Sequence, residues 1–408
     1  MNSQTLTTTG DLRKIYWTAF LLRFTLGCGV WFVARGSSLT LLEDALYYEA
    51  MGASVAQDWL AGRSSLYLEW AIQNGTTGWI MVVAIACVYW VTAGIRAIPV
   101  LIAIFAAVTA YSPVLTYRIT ARLGGGTSAA RVAAGLVTFS PCFVFWAGAL
   151  YKEGLIVLLL NLAVLHTLHL MERWRWRSFV LVVFSIAVLF GLRFYLAMLL
   201  GATILACLPL ATRARGGIGA ASARFVTQGA IVFAILTTGV LMNVPQRLSG
   251  MIPQSESAIL GRLNVVRQDL STRAGSGFLS EVDISTRANA LAFAPVGSAY
   301  FLTVPLPWQA GSLRQNAIIP ETLLWILLYP LVLYGLLRTG RRHLQATILL
   351  VVFTASLSLF YGLYVGNIGT AYRMRTQVWL LWAVFAGIGW ESWRLRAKHR
   401  VQHEIVQR

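Results

Sequence analysis

The chain has 408 residues, 57% hydrophobic and 12% charged, with a mean hydropathy of +0.67 and a net charge of +18. That composition excludes a soluble domain, and without a basic face on a soluble module it offers nucleic acid no docking surface. Apolar runs long enough to cross a bilayer core of about 30 Å recur along the sequence, and in lipid such runs satisfy their backbone polar groups as helices. The expected class is therefore an all-α polytopic membrane protein, with a single transmembrane domain over 1–408.

The polar, Thr-rich start from Met1 to Asp11 leads into a first span that lacks a small-residue cleavage site, so a retained anchor is expected. Ten spans are expected, at 15–34, 96–117, 128–150, 154–171, 178–192, 194–211, 225–244, 321–338, 344–365 and 376–393. The pair 178–192 and 194–211 is separated only by Arg193. A further apolar run, 78–94, is either a full span or a pair of short helices on the outer membrane surface.

Arginines sort these spans. Arg118/Arg122/Arg131, Arg173/Arg175/Arg177, Arg213/Arg215/Arg224, Arg338/Arg341/Arg342 and the tail residues Arg394, Arg396, Lys398 and Arg400 all fall on one side, which the positive-inside rule makes cytoplasmic. If 78–94 does not cross, both termini lie inside and Asp44 outside. If it does cross, the N-terminus and Arg373 lie outside but Asp44 inside.

In the ten-span arrangement two longer loops face outward: 35–95, with juxtamembrane helices, and 245–320. In the second, Ile259, Leu260, Leu263, Val266 and Leu270 have helical spacing and predict a short amphipathic helix. Pro295, Pro305, Pro307 and Trp308 predict an irregular, aromatic return to the membrane. So few core residues do not predict an independent domain in this loop.

Chemistry concentrates in three places. The first is Leu42-Glu43-Asp44-Ala45-Leu46-Tyr47-Tyr48-Glu49-Ala50, three acids within seven positions in a chain with fifteen Asp+Glu against thirty-three Lys+Arg. Buried carboxylates are costly, so these need a reason. Thr40 and Glu43 have capping-box spacing, which accounts for Glu43 but not for Asp44. Asp44 is suited to a general base that takes a proton from an acceptor at the membrane face, with Glu43 beside it. Tyr48 shares the Asp44 face of the helix. Tyr47 and Tyr48 also fit an interfacial aromatic belt.

The second place is Lys152-Glu153 at the outer end of a span. The pair could sense a phosphate or a metal, or be a local ion pair capping the next helix. The third is Gly366-Asn367-Ile368-Gly369-Thr370-Ala371-Tyr372-Arg373-Met374-Arg375. Two arginines at an outer span end break the charge rule and suit a phosphate fork, although arginines at span ends also snorkel to headgroups. Arg96 and Arg193 are further cations of this kind. Arg23, inside the first span, must find a partner or a cavity. His166 and His169 lack a third ligand for a metal. The cysteines Cys28, Cys87, Cys142 and Cys207 lie in apolar runs without metal-ligand spacing.

These segments resemble the GT-C superfamily of integral-membrane glycosyltransferases, which use polyprenyl-phosphate or polyprenyl-diphosphate sugars. The likeness rests on Glu43, Asp44, Tyr47, Tyr48 and Ala50 in the first outer loop. It continues through Thr116-Tyr117-Arg118-Ile119-Thr120-Ala121-Arg122-Leu123-Gly124 to Ser140-Pro141 and Lys152-Glu153, and includes the late Asn367-Ile368-Gly369-Thr370 with Arg373 and Arg375. It covers residues 10–170 in motif and the rest in hydropathy. The resemblance implies a transferase at the outer face of a bacterial inner membrane, with a polyprenyl-linked sugar donor and a glycan, lipid or protein acceptor. It implies Asp44 as base, Glu153 as the second-loop acid, and 78–94 as a surface segment. Lys152, Arg373, Arg375, Arg96 and Arg193 are expected toward the donor phosphate, and Tyr47, Tyr48, Glu153 and Asn367 toward substrate. No cofactor is expected with certainty. Lys-Glu stands in place of an Asp-rich metal motif, so a divalent cation is admitted but not required. Two rival functions remain open: a polysaccharide polymerase or ligase using arginines of the 245–320 loop, and a flippase for a lipid-linked glycan, which needs no base.

Overall fold

In a computed structural model of the protein, the described residues are 9–36, 42–74, 76–211, 229, 232, 256–272, 275–309 and 311–406. They form helices and connections without a named strand; an isolated bridge pairs Gly277 with Asn367. In chain order the helices are α1 (Thr9–Gly36), α2 (Glu43–Leu60), α3 (Leu66–Gln73), α4 (Trp79–Val91), α5 (Ile98–Thr109), α6 (Tyr111–Arg122), α7 (Thr127–Phe139) and α8 (Pro141–Gly148). After these come α9 (Lys152–Glu172), α10 (Trp176–Ala211), α11 (Glu256–Thr272), α12 (Arg287–Thr303), α13 (Leu313–Arg342), α14 (Leu344–Tyr364) and α15 (Ile368–Val406).

Among the described residues six helical segments are long and apolar enough to cross a membrane, or seven if α7 and α8, bent by 53°, form one span. The protein is thus an all-α membrane protein. Several expected spans change form. The 178–192 and 194–211 runs are one helical segment, α10, kinked where Arg193 leaves helical geometry (φ −164°, ψ 87°). The run 128–150 is the bent pair, broken where Ser140 turns extended and Pro141 opens α8. The expected span 225–244, apart from positions 229 and 232, and the Thr40 capping position lie outside the described residues.

The run 78–94 holds a single helix, α4, of 13 residues. At 1.5 Å per residue that is roughly 20 Å, short of a bilayer core. It packs along α2, with Met81, Val82, Ile85 and Ala86 buried. The first loop is therefore a layer of short helices, α2 to α4, lying over one end of the bundle.

The centre of the bundle is α15, against which α6, α7, α9 and α13 pack. Its residues Val378, Trp379, Leu380, Leu381, Ala383, Val384, Phe385 and Ala386 are all buried, as expected for a helix apolar on every side. Small residues let α13 approach it closely: a Cβ on Gly335 would lie 1.9 Å from the Phe385 carbonyl oxygen, and one on Gly389 2.0 Å from that of Leu331. Backbone cannot move aside as a side chain can. Gly335→Val is expected to cost about 3 kcal/mol or more, read as loss of monodisperse protein on size-exclusion chromatography. A wild-type elution profile and melting temperature would refute the close-packing account.

In the second loop, the predicted helix is present as α11, but its buried face is rotated. Ile259 and Val266 are exposed, while Asn264, Arg267 and Ser271 are buried. Asn264 and Arg267 win because their partners are backbone: the Ile284 N–H donates to Asn264 Oδ1 at 3.0 Å, and Arg267 Nη1 donates to the Leu279 carbonyl at 2.9 Å. Pro295 is not part of an irregular return but sits inside α12, which packs on α14. The irregular segment starts at Val304, and Trp308 lies exposed in a short 3-10 turn over Pro307–Gln309.

Candidate functional site

α9 begins at Lys152 and runs toward Arg173, so Lys152 and Glu153 lie at the end of the bundle opposite the arginine-rich loops. Leu150, with φ +58°, sits in left-handed backbone just before this start. For a residue with a Cβ that conformation costs about 1–2 kcal/mol. The chain bears it where it re-aims Tyr151, Lys152 and Glu153 after α8.

Four segments distant in sequence meet here through an ion-pair chain. Arg373 Nη1 donates to Asp44 Oδ2 at 2.5 Å and its Nε to Glu153 Oε1 at 2.6 Å. Arg193 Nη2 donates to the same Glu153 Oε1 at 2.8 Å. The Arg193 kink in α10 presents this guanidinium to α9. The Lys152–Glu153 pair is therefore not a local cap; Glu153 takes its partners from α10 and α15.

Side-chain exposure falls along the chain, from 45% at Asp44 to 18% at Arg373, 4% at Arg193 and 0% at Glu153. Asp44 is thus the carboxylate a substrate can reach, and Glu153 is the buried counter-charge that holds two arginines in place. Lys152 is buried; its Nζ donates to Thr77 Oγ1 at 3.3 Å and lies 5.8 Å from the centre of the Tyr48 ring. An ammonium has three donors, so two remain unassigned among the described residues. Arg373 is walled by aromatic faces, 5.1 Å from Tyr151 and 5.8 Å from Trp146. Counting Lys152, Arg193 and Arg373 against Asp44 and Glu153, the cluster carries one excess positive charge.

Tyr48 is buried over Gly78, where an added Cβ would come within 3.0 Å of its hydroxyl oxygen. Burial, and then the Asp44 and Glu153 carboxylates, push this hydroxyl above its ordinary pKa, so it stays protonated at neutral pH. Glu43 is exposed one position before Asp44, at the first residue of α2, whose N-cap is Leu42.

The other expected residues are elsewhere. Arg96 pairs with Glu49, its Nε donating at 2.9 Å, and Tyr89 donates to the same carboxylate at 2.8 Å. This ties α4 to α2 and gives the third acid of the opening cluster a structural task. Tyr47 is exposed, its hydroxyl 3.4 Å from that of Tyr67. Asn367 is a clamp: its Nδ2 donates to the Leu270 carbonyl at 3.2 Å and its Oδ1 accepts from the Thr370 N–H at 2.8 Å. Gly366 beside it is needed because a Cβ would stand 2.4 Å from the Arg267 carbonyl oxygen. The segment leading into Arg373 is thus pinned by the second loop.

Arg375 lies deeper. It is fully buried, 5.2 Å from the Trp379 ring centre, and its Nη1 donates to Thr322 Oγ1 at 3.4 Å. Close by is a buried polar group absent from the sequence expectations. Glu321 accepts from Ser140 and Tyr372 hydroxyls and, at 3.0 Å, from the Cys142 N–H. A carboxylate on α13 thereby caps the N-terminus of α8. Nothing in local spacing reveals it, because its partners are 51 to 181 residues away. Arg23 is buried, with Nε and Nη1 lacking a hydrogen bond among the described residues. It shares a cavity of about 10 Å³ with Ser112, Glu153 and Thr376, room for about one water molecule.

Arg373 already bridges Asp44 and Glu153, and among the described residues no three His, Cys, Asp or Glu side chains gather to hold an ion. The ion pair between Asp44 and Arg373 places these two residues at the same end of the bundle. Comparison of the sequence with protein-family models and with curated proteins finds no match.

Proposed function

We propose that the protein is a membrane glycosyltransferase of GT-C type that moves a sugar from a polyprenyl-phosphate or polyprenyl-diphosphate donor to an acceptor. It acts at the outer face of a bacterial inner membrane. The observation that carries this reading is the ion-pair chain: an accessible carboxylate, Asp44, sits at the mouth of a cation cluster at the end opposite the arginine-rich loops. A base beside phosphate-binding cations is what transfer from a lipid phosphate requires.

In the free protein Arg373 engages Asp44. A donor phosphate entering the cluster takes the Arg373 Nη1 donor and the spare Lys152 donors, and releases the carboxylate. The acceptor hydroxyl or amine then attacks the anomeric carbon as its proton passes to Asp44. The bond from that carbon to the phosphate oxygen breaks, and its electron pair leaves with the lipid phosphate, facing Arg373 and Lys152. Attack from the side opposite the leaving group inverts the anomeric centre. Glu153 and Arg193 hold Arg373 and do not touch the substrate.

For the polymerase reading, Arg267 of the second loop is buried and bonded to backbone carbonyls, so it is not available to a substrate, whereas Arg262 and Arg287 of the same loop are exposed. The test is transfer by purified protein supplied with lipid-linked sugars extracted from the parent cells. Arg373→Gln is expected to raise the donor KM by roughly tenfold or more, the worth of a charge-assisted fork, while Arg96→Gln leaves it unchanged. Equal effects of the two substitutions would remove the donor assignment, and absence of any transfer would favour the flippase.

A further inference from the structure

We propose that the protein carries a separate site for one anionic glycerophospholipid, in the leaflet on the side of the arginine-rich loops. A cleft of about 920 Å³ lies between α1, α5, α6 and α9, and no residue of the Asp44 cluster lines it. Its walls are apolar, with Val108, Leu115, Leu158 and Leu162 along its length. One end is basic, where Arg118 and Arg122 from α6 meet His166 and His169 from α9.

Length selects the occupant. From Leu158 to His169 the cleft follows α9 for eleven residues, roughly 16 Å at 1.5 Å per residue. That is about half of a 30 Å bilayer core, the depth of one leaflet. An acyl chain fits the apolar length with its headgroup at the basic end, whereas a much longer polyprenyl chain does not.

Charge selects the headgroup. Arg118 is exposed and makes no hydrogen bond or ion pair among the described residues. Arg122 pairs with Glu172, which is half exposed at the rim. His166 Nδ1 is 3.1 Å from Ser178 Oγ and 3.4 Å from His169 Nδ1, so the two imidazoles form one polar shelf beside the arginines. A phosphodiester on this shelf gains Arg118, and a zwitterionic headgroup would bring its own cation against it.

The test is native mass spectrometry of the full-length protein titrated with phosphatidylglycerol or phosphatidylcholine. Wild type is expected to retain one phosphatidylglycerol and to release phosphatidylcholine. Arg118→Gln should weaken retention about fivefold and Arg118→Gln/Arg122→Gln more than tenfold, since each basic residue near an anionic headgroup contributes on the order of one such factor. Leu162→Trp, which fills the cleft, should also release the lipid. Arg341→Gln/Arg342→Gln, basic residues at the same end but outside the cleft, should not. Equal retention of phosphatidylcholine, equal loss in the Arg341/Arg342 variant, or undiminished retention in Arg118→Gln would each overturn the site. Arg118 is exposed and unpaired, so its variant folds and decides the question even if the double variant does not.

Discussion

Asp44→Asn is expected to lower the transfer rate by about 10²–10⁴, the usual contribution of a positioned general base, while the protein still folds. Asparagine keeps the shape and can still accept from Arg373, but it cannot take the acceptor proton. Asp44 is half exposed and ends the ion-pair chain, so its loss leaves Arg373 bonded to Glu153. The effect should therefore appear in kcat more than in stability. The measurement is single-turnover formation of glycosylated acceptor by purified protein, with the accumulation of lipid-linked precursor followed in cells at matched membrane levels. A rate within about threefold of wild type would defeat the base assignment. Glu43→Gln is the paired control: exposed and outside the chain, it should change the rate little.

The largest stability effect is expected at Glu153. Its Oε1 accepts from both Arg193 and Arg373, and its Oε2 is buried without a partner among the described residues. Glu153→Gln removes one negative charge between two guanidiniums and leaves them buried against each other. Breaking a buried pair in this way costs about 3–5 kcal/mol. Thermal unfolding in detergent, followed by tryptophan fluorescence, reads the loss. Arg193→Leu on top of Glu153→Gln should recover part of it, because the second substitution removes one unpaired cation. If the double variant is less stable than the sum of the singles, mutual repulsion is not the cause. A Glu153→Gln protein as stable as wild type would place the counter-charge role elsewhere.

The physics that made the ends of this chain legible is the cost of charge in lipid. Asp44, Lys152, Glu153, Arg193 and Arg373 stand out in sequence because each is charged where the bilayer penalises charge, and the structure joins all five at one end of the bundle. Arg96 and Arg375 stand out for the same reason, yet serve Glu49 and the buried region beside Glu321. Unusual placement reveals that a residue has a partner, not which one. Asn367 shows the same limit: a Gly-Asn turn signals close backbone approach, and here the approaching group is the second loop rather than a substrate.

Sequence by itself determined the membrane class and the positions of most long helices, because hydropathy over about 20 residues is a local quantity. Only the tertiary structure decided which charges meet. It joined Asp44 to Arg373 across 329 residues. It capped α8 with Glu321, turned α11 so that Arg267 faces inward, and kinked α10 to bring Arg193 onto Glu153. Each of these is a long-range pairing of polar groups in a low-dielectric interior. There an unpaired donor or charge costs more than local propensity can offset, so the partner rather than the local pattern sets the geometry.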